Sequence, residues 1–189
     1  VFQCVRIARK WGVLGRIDAS ATGITVAELA CDTGYSEYAL SVVLESCLSA
    51  GAISLVEDRY RIEKLGQVLQ HDEMTRINLD FVQEICYGGM QELEAALIEA
   101  RPAGLKVLGE WQTIYRGLRE LPDDAKRAWF EFDHLYSDSA FAMALPLVFA
   151  GKPRMLMDIG ANTGKWAKRC LEFDADVHMH LVDLPGHGY

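Results

Sequence analysis

A glycine-bounded turn with a carboxylate on each side is the part of this chain best suited to ligand chemistry. Asp158 stands just before Gly160, the turn closes at Gly164, and Asp183 follows further along. Glycine lets a ligand approach the backbone because no Cβ intervenes. Carboxylates favour a ligand that carries positive charge or hydroxyl groups. The pattern therefore indicates a small-molecule site.

Two common phosphate-binding turns do not match this segment. A dinucleotide site requires G-x-G-x-x-G, whereas Gly160 and Gly164 are separated by three residues. A P-loop requires G-x-x-x-x-G-K-[ST], but here one residue is missing and Trp166 follows Lys165 where a hydroxyl is needed. The spacing therefore disfavours NAD and nucleoside triphosphates.

The acidic turn D-x-G-x-G-x-G of S-adenosylmethionine (SAM) sites fits better. Asp158, Gly160 and Gly164 match that turn, and Asn162 replaces its middle glycine. SAM has no phosphate, its amino group and sulfonium are positive, and its ribose offers two hydroxyls. Asp183 lies near the roughly 20-residue spacing expected of a ribose-binding acid, and Leu184 follows it in the predicted cofactor site. The plainer alternative is a turn that only reverses the chain.

The elements around the turn strengthen the SAM interpretation. A short apolar run predicts a buried strand at 154–159, Lys165–Phe173 predicts a helix, and a second strand is predicted at 177–183. Strand, turn, helix and strand form one βαβ unit, the usual setting of a nucleoside site at the carboxyl ends of parallel strands.

The N-terminal part predicts a different arrangement. Thr25 and Glu28 form a capping-box pattern, and Glu57-Asp58 reads as a tight hairpin turn. Helix, turn, helix and hairpin are the layout of a winged helix. The predicted elements are helices 26–33 and 37–50 with strands 52–56 and 59–62. Further helices are predicted at 2–17, 64–70, 75–101, 111–121 and 123–137, and the one at 75–101 is expected to be interrupted or loosened at Gly88-Gly89.

On these motifs, together with Leu181-Val182-Asp183-Leu184-Pro185, the chain resembles class I SAM-dependent methyltransferases that act on small molecules. The winged helix resembles the dimerisation domain of the O-methyltransferase type. The segment 132–139 is similar to the F-N-x-x-M-x-x-x-S linker of that family, with Asp133 for the usual Asn and Tyr136 for the usual Met. The resemblance implies that Phe132 and Tyr136 line the acceptor pocket and that Ser137 lies at the cofactor.

The resemblance also implies an architecture and a reaction. We expect a mainly helical chain with some α/β structure: a winged-helix dimerisation domain with following helices at 1–101, a helical linker at 102–150, and the first βαβ unit of a Rossmann-like SAM-binding sheet at 151–189. The implied activity is in-line methyl transfer to an oxygen of a small, aromatic acceptor. The family's histidine base would lie beyond Tyr189, so we expect an incomplete chain and no methyl transfer by residues 1–189 alone.

Composition narrows the partners. The net charge of −8 and pI of about 5.1 disfavour bulk nucleic-acid binding. The longest apolar run, 140–150, is too short to span a bilayer. Five cysteines, an odd number without a CxxC pair, predict a reducing, cytoplasmic compartment. Apolar faces on helices 2–17 and 75–101 suggest a homodimer.

Two alternatives remain at this point. A winged helix often binds DNA, so a transcriptional regulator or a non-catalytic dimerisation module is the second hypothesis; its recognition helix 37–50 carries glutamates but no Lys or Arg. His178 and His180 share a strand face, yet no third metal ligand is evident, so we predict no metal site.

Overall fold

The computed structural model describes residues Val1–Leu184. The chain divides into two compact units, Val1–Leu79 and Asp80–Tyr189, which are described separately below. The division into domains 1–101, 102–150 and 151–189 stays a prediction.

The first unit is helical with one antiparallel hairpin. Its elements are α1 (Phe2–Lys10), α2 (Val13–Ala19), α3 (Val26–Thr33), α4 (Glu37–Ser49), β1 (Ile53–Val56), β2 (Arg59–Ile62), α5 (Lys64–His71) and α6 (Glu73–Phe81), the last of which continues into the second unit.

Local sequence signals set the ends of α3 and α4. Thr25 and Glu28 form the predicted capping box at the start of α3, and Gly34 ends that helix with φ 75°. Ser36 caps α4 by accepting a hydrogen bond from the backbone N–H of Ala39. Each cap satisfies N–H groups that a helix start leaves without partners.

The hairpin follows as predicted. β1 and β2 pair in register from Ile53↔Ile62 to Val56↔Arg59. Glu57 and Asp58 both have positive φ, 49° and 61°, which suits the twist of a two-residue hairpin turn.

The core of the first unit comes from every helix before the hairpin. Its fully buried side chains lie mainly on α2, α3 and α4 and include Leu14, Ile17, Leu29, Leu40 and Leu44. The helical spacing of these leucines and isoleucines turns one apolar face of each helix inward.

The expectation of one helix over 2–17 is wrong. The chain breaks at Trp11-Gly12, where Gly12 takes φ 71° and begins α2. The break lets both α1 and α2 bury an apolar face, and Val5 and Ala8 of α1 are buried in the core rather than left free for another chain.

The second unit begins with irregular helix and ends with a small parallel sheet. After a π-helical stretch (Val82–Tyr87) and 3₁₀ turns (Gly89–Glu92, Ala103–Val107), its regular elements are α7 (Leu93–Glu99), α8 (Ile114–Gly117), α9 (Asp123–Phe149), β3 (Met155–Ile159), α10 (Lys165–Phe173) and β4 (His178–Val182).

Close packing of glycines accompanies the helix breaks in this unit. The helix over 75–101 is interrupted around Gly88-Gly89 as predicted, passing through the π-helical stretch and the 3₁₀ turn Gly89–Glu92. The backbone of Gly89 packs against Gly104, where a Cβ on Gly104 would lie 2.4 Å from the Gly89 carbonyl oxygen. The predicted helix 111–121 shrinks to Ile114–Gly117, because the ring of Trp111 lies against Gly109 and Gly117 where side chains would collide with it.

The predicted helix 123–137 is too short. α9 runs for 27 residues to Phe149 and contains Pro146. Proline removes one backbone hydrogen-bond donor from a helix interior, but α9 remains helical on both sides of Pro146.

The βαβ unit has the predicted topology. β3 and β4 pair in parallel, with Met155↔His178 and Ile159↔Val182 at the ends of the register. α10 connects them and covers one sheet face, where Phe149, Cys170 and Val177 form a small core. The predicted class, mainly helical with the start of a Rossmann-like sheet, is confirmed.

Candidate functional site

A cavity of about 330 Å³ lies at the carboxyl end of the parallel pair, inside the second unit. The turn between β3 and α10 forms one wall, and α9 forms another. Parallel strands place their ligand sites at this end because the connecting turns and helix N-termini meet there.

Three residues with left-handed backbone conformation shape the turn that forms this wall of the cavity. Gly160 and Gly164 have φ 77° and 72°, and Asn162 has φ 49°. Asparagine tolerates this conformation better than most side-chain-bearing residues, which explains how it replaces a glycine here. No atom lies within 4 Å of where a Cβ on Gly160 would project, so the backbone there faces open space.

Asp158 brings an unsatisfied carboxylate to the cavity. Its Oδ2 atom is buried and makes no hydrogen bond within the described structure. Burial, and then the nearby charge of Asp183, raise the pKa of Asp158 above its ordinary value. A buried carboxylate oxygen without a partner is costly, so a cationic group placed beside it would be bound favourably.

Asp183 organises the turn from the end of β4. Its Oδ2 accepts a hydrogen bond from the backbone N–H of Asn162 at 2.6 Å, and its Oδ1 accepts one from Leu184 N–H at 2.6 Å. Each oxygen keeps a further lone pair that can accept a hydroxyl. Asp183 itself is not part of the cavity lining.

α9 contributes one continuous face to the cavity. The lining residues follow helical spacing and are Asp133, His134, Ser137, Asp138 and Phe141. Burial, the largest influence, raises the pKa of Asp133, although His134 and a hydrogen bond from the Trp129 indole oppose the shift.

Side chains of α9 hold the turn directly. The Asn162 side-chain amide donates to Asp133 Oδ2 at 3.1 Å. His134 Nε2 lies 3.2 Å from Thr163 Oγ1, and its Nδ1 lies 3.4 Å from Asp138. These contacts fix the turn on the helix.

A charged pair completes the link between α9 and α10. Lys165 Nζ donates to Asp138 Oδ2 at 2.8 Å. Although partial burial of Asp138 acts in the opposite direction, the hydrogen bond and charge of Lys165 lower the pKa of that carboxyl. Trp166, next along α10, also lines the cavity.

The predicted site residues separate into two groups. The structure brings Asp158, Gly160, Asn162 and Ser137 together in the lining, with Gly164 closing the turn beside them. Ser137 Oγ donates to the Asp133 carbonyl at 3.0 Å. The remaining predicted residues, Phe132, Tyr136, Asp183 and Leu184, lie outside this lining, although Asp183 is hydrogen-bonded to the turn through Asn162.

Phe132 and Tyr136 belong to an aromatic group. Phe132 stacks on Phe81 with ring centroids 4.0 Å apart and tilts against Tyr136 at 5.0 Å. Tyr136 is half exposed, as is Leu184. The roles predicted for these three residues stay predictions.

Sequence reasoning missed four residues that line the cavity: Asp138, Phe141, Thr163 and Lys165. The first two were lost because the helix was expected to end at Ser137; continuing the helical spacing past that point would have placed them on the same face.

The described part of the chain shows neither of two other kinds of site. No cluster of three or more His, Cys, Asp or Glu side chains is arranged to hold a metal ion there. No helix in that part is long and apolar enough to cross a bilayer.

Comparison with known proteins matches both parts of the chain. Residues 1–60 match the Dimerisation2-like domain. The fold is similar to that of several solved structures. PigF, determined with SAH (S-adenosyl-L-homocysteine), superposes with a TM-score of 0.73 at 16% identity, covering 97% of this chain and 55% of its own.

Two further structures give the same picture. The mitomycin 7-O-methyltransferase MmcR has a TM-score of 0.71 at 16% identity, with 98% of this chain and 55% of its own covered. Human N-acetylserotonin methyltransferase, determined with SAM, has a TM-score of 0.66 at 17% identity, with 98% and 56% covered. At these identities the similarity shows the fold, and this chain spans a little over half the length of these structures. No curated protein matches the sequence.

Proposed function

We propose that this chain belongs to a SAM-dependent methyltransferase that methylates an oxygen of a small molecule. The observation that carries the proposal is the buried, partnerless Oδ2 of Asp158 beside the open backbone of Gly160. An anionic group next to bare backbone suits the amino-acid part of SAM, which is cationic at its amino group and sulfonium.

The residues divide the binding task between the two ends of SAM. Asp158 would hold the amino group, and Ser137 and the Asn162 backbone would border the amino-acid part. Asp183 would accept the ribose hydroxyls, with Leu184 beside it. Both ends then lie along one edge of the sheet, as in other nucleoside sites of this topology.

When bound, SAM supplies a methyl group for in-line displacement to an acceptor oxygen. The chain's contribution in this reaction is alignment: the turn, braced by Asp183 and by α9, keeps the cofactor in one orientation.

Titration calorimetry with SAM, SAH and NAD tests the proposal. We expect the sulfur nucleosides to bind and NAD not to bind. Asp158→Asn and Asp183→Asn should each weaken SAH binding by about 10-fold or more, the usual effect of losing a hydrogen bond to a charged group.

Asp176→Asn is the matched control, because Asp176 is an exposed carboxylate in the loop between α10 and β4. Binding of NAD without binding of either sulfur nucleoside would overturn the proposal. If all three substitutions changed the SAH affinity equally, Asp158 and Asp183 would have no specific role in binding SAH.

The first unit supports a second proposal, that the protein is a homodimer. Residues 1–60 match a dimerisation-type domain, and α4 exposes Tyr38 and Val42 one turn apart, with Tyr38 80% exposed. Sedimentation should give about twice the 21.1 kDa chain mass, and Tyr38→Glu should lower that mass if α4 lies in the interface. We propose a cytoplasmic location from the five free cysteines.

A winged-helix regulator is the alternative function, supported by the order of α3, α4 and the hairpin. One of the two arginines of the hairpin is engaged within the unit: the Arg59 guanidinium donates to the Gly23 carbonyl at 2.9 Å and to Glu28 at 3.0 Å, whereas Arg61 is exposed. Salt-sensitive, submicromolar binding to duplex DNA in a gel-shift titration would favour the regulator over the methyltransferase.

A further inference from the structure

Strands β3 and β4 place four side chains with metal-binding atoms on one sheet face. In the parallel register Met155 lies beside His178, and Met157 lies beside His180. Side chains two residues apart along a strand share a face, and so do the paired residues of neighbouring parallel strands. The register therefore gathers two thioether sulfurs and two imidazoles into one cluster, the Met-His cluster.

The Met-His cluster faces away from α10 and is open to solvent. Leu156 and Met179, which alternate with its members along the strands, pack into the small core of the βαβ unit. Met155 and Met157 are each 64% exposed, and both histidines are exposed as well. An ion can therefore reach all four side chains without any change in the core.

The two imidazoles are spaced for one shared ion. Their ring centroids lie 5.7 Å apart, with the ring planes at 63°. When two imidazoles bind the same ion through Nε2, each centroid lies about 3 Å from the ion, so the centroids are about 5–6 Å apart. Within the described part of the chain neither ring takes part in a hydrogen bond or ion pair, so both rings keep a nitrogen available to a metal.

The kinds of ligand atom distinguish between classes of metal ion. Thioether sulfur and imidazole nitrogen are both suited to Cu(I). Zinc sites use thiolate, imidazole and carboxylate ligands instead of thioethers, and among the described residues no third His, Cys, Asp or Glu side chain joins the two histidines. The four ligand atoms are neutral, so a monovalent ion leaves less charge uncompensated here than a divalent ion does.

We propose that one Cu(I) ion binds across the two strands, held by Met155, Met157, His178 and His180. The H-x-H pair alone offers two ligands, and the parallel register supplies the other two from β3. The proposal does not depend on the methyltransferase function, because none of these four residues is assigned to SAM.

Methyl NMR of the 189-residue chain tests the site. The probe is Ag(I), which has the charge and ligand preference of Cu(I) and keeps its oxidation state in air. Accessible thiols are alkylated first in every sample, because thiolates compete for soft ions. Labelled methionine methyl groups then report each thioether separately. At one equivalent of Ag(I), we expect the Met155 and Met157 resonances to shift, while that of Met143, 72% exposed on α9, stays unchanged.

Two pairs of variants sharpen the test. Met157→Leu removes the sulfur at nearly constant volume and should weaken Ag(I) binding by about 10-fold or more, because even groups behind the ligands contribute about that much to metal affinity. Met143→Leu makes the same change outside the cluster and should leave the affinity unchanged. His180→Ala should weaken binding as Met157→Leu does, whereas His71→Ala, at an exposed histidine of the first unit, should not.

Three outcomes would overturn the proposal. Equal shifts of Met143 and the two β3 methionines would mean that Ag(I) binds any exposed thioether. Equal affinities of Met157→Leu and Met143→Leu would mean that the thioether of β3 is not a ligand. Binding of Zn²⁺ as tight as that of Ag(I) would mean that the cluster does not select a soft ion. The dispersion of the remaining methyl resonances shows that each variant is folded.

Discussion

The first unit and the βαβ region of the second treat their apolar residues in opposite ways. The first unit encloses a core to which α1 through the hairpin and α5 contribute, with side chains such as Leu14 and Leu44 fully buried. The parallel pair leaves Met155, Met157 and Ile159 more than 60% exposed on the sheet face opposite α10. A hairpin and a few neighbouring helices can therefore bury their apolar residues among themselves. A parallel sheet buries its apolar residues only when other elements pack on both of its faces.

We expect the largest effect on stability when a buried leucine of the first unit is shortened. Leu44→Ala should cost about 2–5 kcal/mol of unfolding free energy, because it leaves a cavity in a closed core. Met157→Ala, at a 64% exposed position, should cost less than about 0.5 kcal/mol.

Hydrogen exchange measured by mass spectrometry reads the two units separately. Leu44→Ala should lower amide protection throughout α1–α4, and Met157→Ala should leave protection in β3 nearly unchanged. A large loss of protection in β3 on Met157→Ala would mean that the exposed sheet face is covered in solution.

Two glycines, one in each unit, should give effects on stability of intermediate size when they are replaced by alanine. Gly34 and Gly160 have nearly the same φ, 75° and 77°, and neither has an atom within 4 Å of the Cβ position. Gly34→Ala and Gly160→Ala should therefore each cost about 1 kcal/mol of stability from the left-handed conformation alone.

Ligand binding separates the two glycines. Only Gly160→Ala should weaken SAH binding in calorimetry, because its methyl group projects into the open space of the turn. Equal SAH affinity in both variants would place the ligand elsewhere.

The smallest expected effect concerns charge in the turn. The pKa of Asp158 is raised in the folded chain, so the folded state holds that proton more tightly than the unfolded state. The resulting stability is present at acid pH and is lost as pH rises through the raised pKa. Asp158→Asn should therefore raise stability at pH 7, by a fraction of about 1 kcal/mol since solvent screens a partly exposed carboxyl.

Thermal unfolding from pH 4 to pH 7 measures this effect. The gain in Tm of Asp158→Asn over wild type should grow with pH. The same variant should bind SAH more weakly than wild type does. A variant that is less stable at pH 7 would show that the carboxylate has a partner in the folded state.

Sequence patterns predicted the elements that depend on neighbouring residues. The capping box of Thr25 and Glu28, the hairpin turn at Glu57-Asp58 and the βαβ unit are local, and each is present. The predicted interruption of helix 75–101 at Gly88-Gly89 is also local and is present. The predicted helix at 2–17 is wrong because Gly12 takes a left-handed φ of 71° and starts a new helix. The predicted helix at 111–121 is wrong because the Trp111 ring packs against Gly109 and Gly117, a contact that helical spacing does not reveal.

In the candidate site too, the residues of a local sequence pattern were predicted and those brought in by tertiary packing were not. Asp158, Gly160 and Asn162 follow from a local turn pattern, and the structure gathers them in one cavity. The contribution of Asp138 and Lys165 depends on α9 lying across the turn, an arrangement set by tertiary packing rather than by the spacing of either residue.

Asp183 accepts two backbone amides, those of Asn162 and Leu184, with its two carboxylate oxygens. These two hydrogen bonds tie the turn to the end of β4. A molecule entering this cavity finds the backbone already in place and loses less of its binding energy to ordering a loop. In kinetic terms, association should resemble docking to a rigid surface, so that affinity differences among turn variants appear mainly in the dissociation rate.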